Sequence, residues 1–135
     1  MQLLINIDVP DLEAAIGFYG MGLGLVLARR LFDGTVAEMT GAPSSIYLMQ
    51  KESGTPAAKG SAQIRDYRRH WTPTHLDFVV DDLDEALARA LSAGARLEGE
   101  VQTFNWGSQA VMSDPFGNGL CLVQWRNRGY DEVAD

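Results

Sequence analysis

Asn6-Ile7-Asp8-Val9-Pro10-Asp11-Leu12-Glu13-Ala14-Ala15-Ile16 is answered later in the chain by Asp77-Phe78-Val79-Val80-Asp81-Asp82-Leu83-Asp84-Glu85-Ala86-Leu87. Each copy joins a short apolar strand to an Asp-Leu helix start and an alanine-rich helix. A second echo sets Ile46-Tyr47-Leu48-Met49-Gln50 against Leu120-Cys121-Leu122-Val123-Gln124. Two copies of one unit in 135 residues imply a pseudo-symmetric sheet with a cavity between its halves. Each unit is marginal in size for folding alone, so the two are expected to share one core or to exchange halves in a dimer.

Working outward from the first copy, Leu3, Ile5, Ile7 and Val9 alternate with a more polar parity, the period of a strand. Pro10 cannot donate to a ladder and ends it. Asp11 then caps a helix expected to run to about Gly20. Strands are expected at 25–31, 35–39 and 45–50, the first two joined by an Asp33-Gly34 hairpin turn. In the second copy the order repeats: a strand at 74–80, a helix at 83–93 stopped by Gly94, strands at 96–104 and 109–113, the tight turn Asp114-Pro115-Phe116-Gly117, and a strand at 120–125. The fold class read from this is α+β. Two βαβββ modules form a curved mixed sheet, a cup, with the helices on its convex side. The expected organisation is one domain over 1–135: a first module at about 1–50, a linker at 51–73, a second module at about 74–126, and a frayed tail at 127–135.

A net charge of −7 argues against a general nucleic-acid or anionic-membrane binder. One cysteine, Cys121, excludes an intramolecular disulfide and fits a reducing cytoplasm. The opening Met1-Gln2-Leu3-Leu4 lacks the pattern of a leader peptide, and no apolar run reaches the ~20 residues that span a bilayer. Nucleophile elbows, phosphate-binding loops, Cys-x-x-Cys pairs and His-Glu-x-x-His helices are all missing.

The repeat register also assigns faces. Leu4 answers to His75, Asn6 to Asp77 and Tyr47 to Cys121. These residues carry the parity opposite to the helix-facing one and should collect on the concave side. Taken with the Asp-Leu-Glu-Ala-Ala-Ile-Gly-Phe-Tyr run from Asp11, the Thr74–Leu83 opening and the Asp114-Pro115-Phe116-Gly117-Asn118 turn, the chain resembles the vicinal oxygen chelate superfamily. That group includes glyoxalase I, extradiol dioxygenases and bleomycin-resistance proteins. The fold hosts many chemistries, so the resemblance speaks to fold before function.

The resemblance implies more. Metal-using members hold one divalent ion at four corresponding positions, usually His, Gln or Glu. By motif register those positions are Leu4, Tyr47, His75 and Cys121, of which only His75 matches. The usual metal site is read as lost and no cofactor is expected, although His75, Asp77 and Cys121 would suit a softer divalent ion such as zinc. His75 and Asp77 are the candidate catalytic pair, since a neutral-range imidazole beside a carboxylate is useful for proton transfer. Asn6, Tyr47, Trp106, Cys121, Arg68 and Arg69 are the candidate ligand-binding residues. The aromatics would stack a flat ligand and the arginines would clamp an anionic group. Arg65, Arg68 and Arg69 are spaced for one helical face. The expected partners are a small-molecule ligand and a second copy of the chain. The leading functional reading is a metal-independent binding protein that sequesters an aromatic or drug-like ligand. Its alternative is a glyoxalase-like lyase, isomerase or dioxygenase acting through His75. A degenerate structural subunit is a third reading.

Overall fold

A computed structural model describes residues 1–135. It divides into two compact units, Met1–Arg68 and Arg69–Asp135. In the first, β1 (Ile5–Val9), α1 (Leu12–Gly17), β2 (Val26–Leu31), β3 (Val36–Thr40) and β4 (Ile46–Gln50) follow in order. The sheet order is β1-β4-β3-β2, with β1 parallel to β4 and the other pairs antiparallel. Asp11 caps α1 by accepting from the Ala14 amide at 2.9 Å. Leu12, Ala15, Ile46, Leu48 and Met39 are buried where α1 meets its sheet, each large side chain contributing about 1.5–3 kcal/mol.

The helix expected to continue to Gly20 instead closes at Gly17 and opens into a π-helical turn, Phe18–Gly22. The wider turn lets two consecutive rings, Phe18 and Tyr19, both reach the core, where they meet edge to face at 5.1 Å. The β2–β3 hairpin is also wider than a two-residue turn. Phe32, Asp33 and Gly34 all have positive φ, and the Thr35 hydroxyl donates to the Phe32 carbonyl at 2.8 Å.

Much of the expected linker packs into this first unit. Arg65 organises it: Nε donates to Asp8 Oδ2 at 2.6 Å, Nη1 to Thr55 Oγ1 at 3.2 Å and to the Pro56 carbonyl, and Nη2 to the Ala57 carbonyl at 3.1 Å. The residues around Arg65, Arg68 and Arg69 are not helical. Loop hydrogen bonds, rather than a helical face, decide where these side chains go.

The second unit holds β5 (Leu76–Val79), α2 (Leu83–Ser92), β6 (Arg96–Leu97), β7 (Gln102–Thr103), β8 (Gly107–Ser113) and β9 (Gly119–Trp125). Its sheet order is β5-β9-β8-β6, with β7 on β8 and β5 parallel to β9. Asp82 caps α2 through the Glu85 amide at 2.9 Å, and Gly94 ends it at φ +108°. The single strand expected at 96–104 is split into β6 and β7, and Gly99 at φ +86° turns the backbone between them. Asp114 is buried and ties the turn before β9. Its Oδ1 accepts from the Phe116 and Asn118 amides and its Oδ2 from Asn118 Nδ2, all at 2.8 Å. The tail is not frayed throughout. Gly129–Glu132 form a 3-10 turn, and the Tyr130 ring packs on Trp125 at 4.6 Å.

The architecture is thus α+β, two βαβββ units in which the first strand lies parallel to the last and the helix packs on one face of its own sheet. The second unit has its third strand in two pieces. No helix is long and apolar enough to cross a membrane.

Candidate functional site

The repeat builds an equivalent cross-strand pair within each unit. Asn6 pairs in register with Tyr47 in the first unit, and Asp77 with Cys121 in the second. In both cases the pair lies on the face away from the helix: in the first unit Ile46 and Leu48 are the buried residues, and in the second, where both faces of β9 are buried, Gln124, of the same parity as Leu120 and Leu122, accepts from the Leu83 amide at the start of α2.

The second unit gathers the most chemistry. His75 enters β5 with Nε2 3.2 Å from Asp77 Oδ1, and both side chains are over a third exposed. Cys121 lies beneath them, buried. One donor atom from each of His75, Asp77 and Cys121 falls within 4.8 Å of the others. Burial, then the Asp77 carboxylate, push the Cys121 thiol up to about 11, against a hydrogen bond with Gln109 that favours the thiolate. Cys121 is therefore a protonated thiol at neutral pH. Trp71 meets the His75 ring edge to face at 5.4 Å. Its indole N–H donates to Glu98 Oε2 at 3.1 Å, and the Arg69 guanidinium lies 4.5 Å from its ring centroid. Trp71 packs so closely on β9 that a Cβ on Gly119 would sit 2.5 Å from the ring.

The same face continues along the strands, exposed at Val79 and Trp125 and buried at Val123. Val79 follows Asp77 on β5, and Val123 and Trp125 follow Cys121 on β9. Trp125 joins Trp106, Phe104 and Tyr130 in an aromatic cluster at the far end, with Phe104 and Trp106 stacked at 5.2 Å.

In the first unit, Tyr47 donates its hydroxyl to Glu38 Oε1 at 3.1 Å, and Arg29 binds the other carboxylate oxygen. The Arg29 guanidinium holds Glu38 below the usual carboxylate range despite burial. Leu4 precedes β1, is half exposed and offers only hydrocarbon. Asn6 is exposed on β1. The remaining candidates divide. Arg68 donates to Asp66 from Nε at 2.7 Å. Arg69 binds Glu98 through both Nε and Nη2 and so holds Trp71, one ring away from His75.

Sequence reasoning did not single out Glu38, Trp71 or Gln109. Glu38 had a signal, being the one charged residue in Val36–Thr40, amid Val36, Ala37 and Met39. Trp71 and Gln109 had none, because their roles depend on which strands become neighbours.

A glyoxalase-like domain family matches residues 4–123, and the chain belongs to that family, within the vicinal oxygen chelate superfamily. Among curated relatives, the anthracycline biosynthesis protein DauV of Streptomyces sp. strain C5 is 28% identical over 131 residues, 97% of this chain. The chain spans 43% of DauV's length. Among solved structures, a glyoxalase-related enzyme from Fulvimarina pelagi superposes with a TM-score of 0.71 at 19% identity, over 92% of this chain and 87% of that one. TnmS3, an antibiotic-binding protein from Streptomyces sp. CB03234, superposes with a TM-score of 0.65 at 25% identity, over 93% and 96%.

Proposed function

We propose that this chain is a small-molecule-binding protein of the glyoxalase/bleomycin-resistance type, holding a flat aromatic, drug-like ligand without the superfamily's usual divalent ion. The observation that carries the reading is the donor chemistry at the four register positions. Leu4 has no donor atom, the Tyr47 hydroxyl donates to Glu38, and Cys121 offers sulfur where a hard ion takes oxygen. A hard divalent ion needs several oxygen ligands, and this set does not fit one. The antibiotic-binding TnmS3 and the anthracycline protein DauV support the ligand class. In this reading the protein works as a cytoplasmic homodimer.

A second reading, an enzyme of the lyase, isomerase or dioxygenase kind acting through His75, is favoured by the closeness of His75, Asp77 and Cys121. That nitrogen, oxygen and sulfur set suits zinc.

The test is elemental analysis of protein purified without a metal-affinity tag, followed by a thermal-shift titration with planar aromatic drugs in excess chelator. The expected result is chelator-resistant stabilisation, about 2.7 kcal/mol at a hundred times Kd. A stoichiometric ion, lost together with ligand stabilisation in His75→Ala, overturns the binding reading in favour of the enzyme. Absence of stabilisation by any such drug overturns it as well.

A further inference from the structure

On the second unit's sheet, the face away from the helix exposes different side chains along its length, above the buried Cys121 and Val123. At one end stand His75 and Asp77, hydrogen-bonding groups that solvent reaches. No arginine or lysine forms an ion pair with Asp77. In the middle lies Val79, more than half exposed. At the far end is Trp125, partly exposed and backed by Trp106. Because β5 and β9 are parallel and in register, Trp125 on β9 stands two residues beyond Val79 in the strand direction, past the buried Cys121 and Val123. From Cys121 to Trp125 the strand rises about 13 Å, a length that a three-ring planar molecule spans.

We propose that this face binds a planar polycyclic phenol in one orientation, its hydroxyl donating to the His75–Asp77 pair and its ring system lying over Val79 toward Trp125. The proposal rests on the ligand-binding reading above and names the ligand's polar group and its direction. A carboxylate accepts hydrogen bonds and offers none, and an imidazole nitrogen that faces it as a donor leaves the other ring nitrogen as an acceptor. The polar end therefore recognises a donor. Trp71 packs edge-on against His75 and limits the directions from which that donor can approach. An ether in place of the hydroxyl would leave the acceptors covered and unpaired, which costs more than the absence of a favourable bond.

The experiment compares 2-hydroxyanthraquinone with 2-methoxyanthraquinone by tryptophan-fluorescence quenching on the full chain. The hydroxy compound should bind about ten- to a hundredfold more tightly. His75→Ala and Asp77→Ala should bring the two compounds close to parity, and the circular dichroism and melting transition of each variant report that it is folded. Trp125→Leu should weaken both compounds alike. Equal affinities in the unaltered protein, or a preference that survives Asp77→Ala, overturn the proposal and leave the ligand-binding reading standing. Failure of both compounds to bind, when another planar drug does bind, overturns the phenol assignment. Failure of all planar aromatics overturns both readings.

Discussion

The Asp77 carboxylate and the Cys121 thiol face one another across the parallel β5–β9 pair, in direct register, and the thiol is pushed up to about 11 by burial and by that carboxylate. Below ~pH 8.5 the thiol stays protonated whether the chain is folded or not. Above it the unfolded chain releases its proton first, so the native state binds more protons and stability falls with rising pH. The fall ends near 11, where the native thiol ionises as well. Cys121→Ala lacks this titration. The melting temperature of the unaltered protein should therefore drop relative to Cys121→Ala between about pH 8.5 and about pH 11. A difference that does not change with pH would refute this.

Asp77→Asn removes the charge but not the burial. The pH profile of Cys121 alkylation should move to lower pH and still lie above that of an exposed thiol, because burial is the larger cause. An unmoved profile in a folded variant would mean that the carboxylate does not act on the thiol.

Asp114→Ala strips three hydrogen bonds from the turn before β9 and leaves the buried Phe116 amide and the part-buried Asn118 amide without their acceptor. The expected loss is about 2–4 kcal/mol, measured by urea unfolding. A loss under about 0.5 kcal/mol, the range of ordinary surface changes, would show that the turn holds without its carboxylate.

Gly119→Ala places a methyl where the Trp71 ring now lies. The ring should swing outward, with a red-shifted emission spectrum and a cost of about 1–3 kcal/mol. Unchanged emission and stability would mean that Trp71 does not rest on β9.

Arg65→Met should loosen the segment that its guanidinium ties to Asp8, Thr55, Pro56 and Ala57. Proteolytic nicking between Thr55 and Gln63 should speed up about five- to thirtyfold, the equivalent of one to two kcal/mol of local stability. Nicking at an unchanged rate would assign the order of this loop to other contacts.

What could be read in advance was what short-range physics decides. Asp11 and Asp82 announce their helices because a cap acts over three residues. Alternation put Asp77 and Cys121 on one face because side-chain direction in a strand follows parity. Three features escaped for reasons of distance. The Arg65–Asp8 contact joins residues 57 positions apart, and nothing near Arg65 signals its partner. Trp71 is placed by a missing side chain on Gly119, which reads in sequence as an ordinary turn glycine. The tail looked polar and loose because its anchor is a single ring, Tyr130, whose partners Trp106 and Trp125 precede it. For the site, parity brought forward His75, Asp77 and Cys121; Glu38 carried a signal in its charge, but its partner Tyr47 appears only when β3 lies beside β4, and Gln109 becomes visible only when β8 lies beside β9.

Arg68 and Arg69 are adjacent, yet the first finds its carboxylate in Asp66 and the second in Glu98, one on each side of the boundary between the units. A gene cut between these two codons would leave both ion pairs whole. That peptide bond is accordingly the natural seam at which to divide the gene and express each unit with its own ion pairs intact.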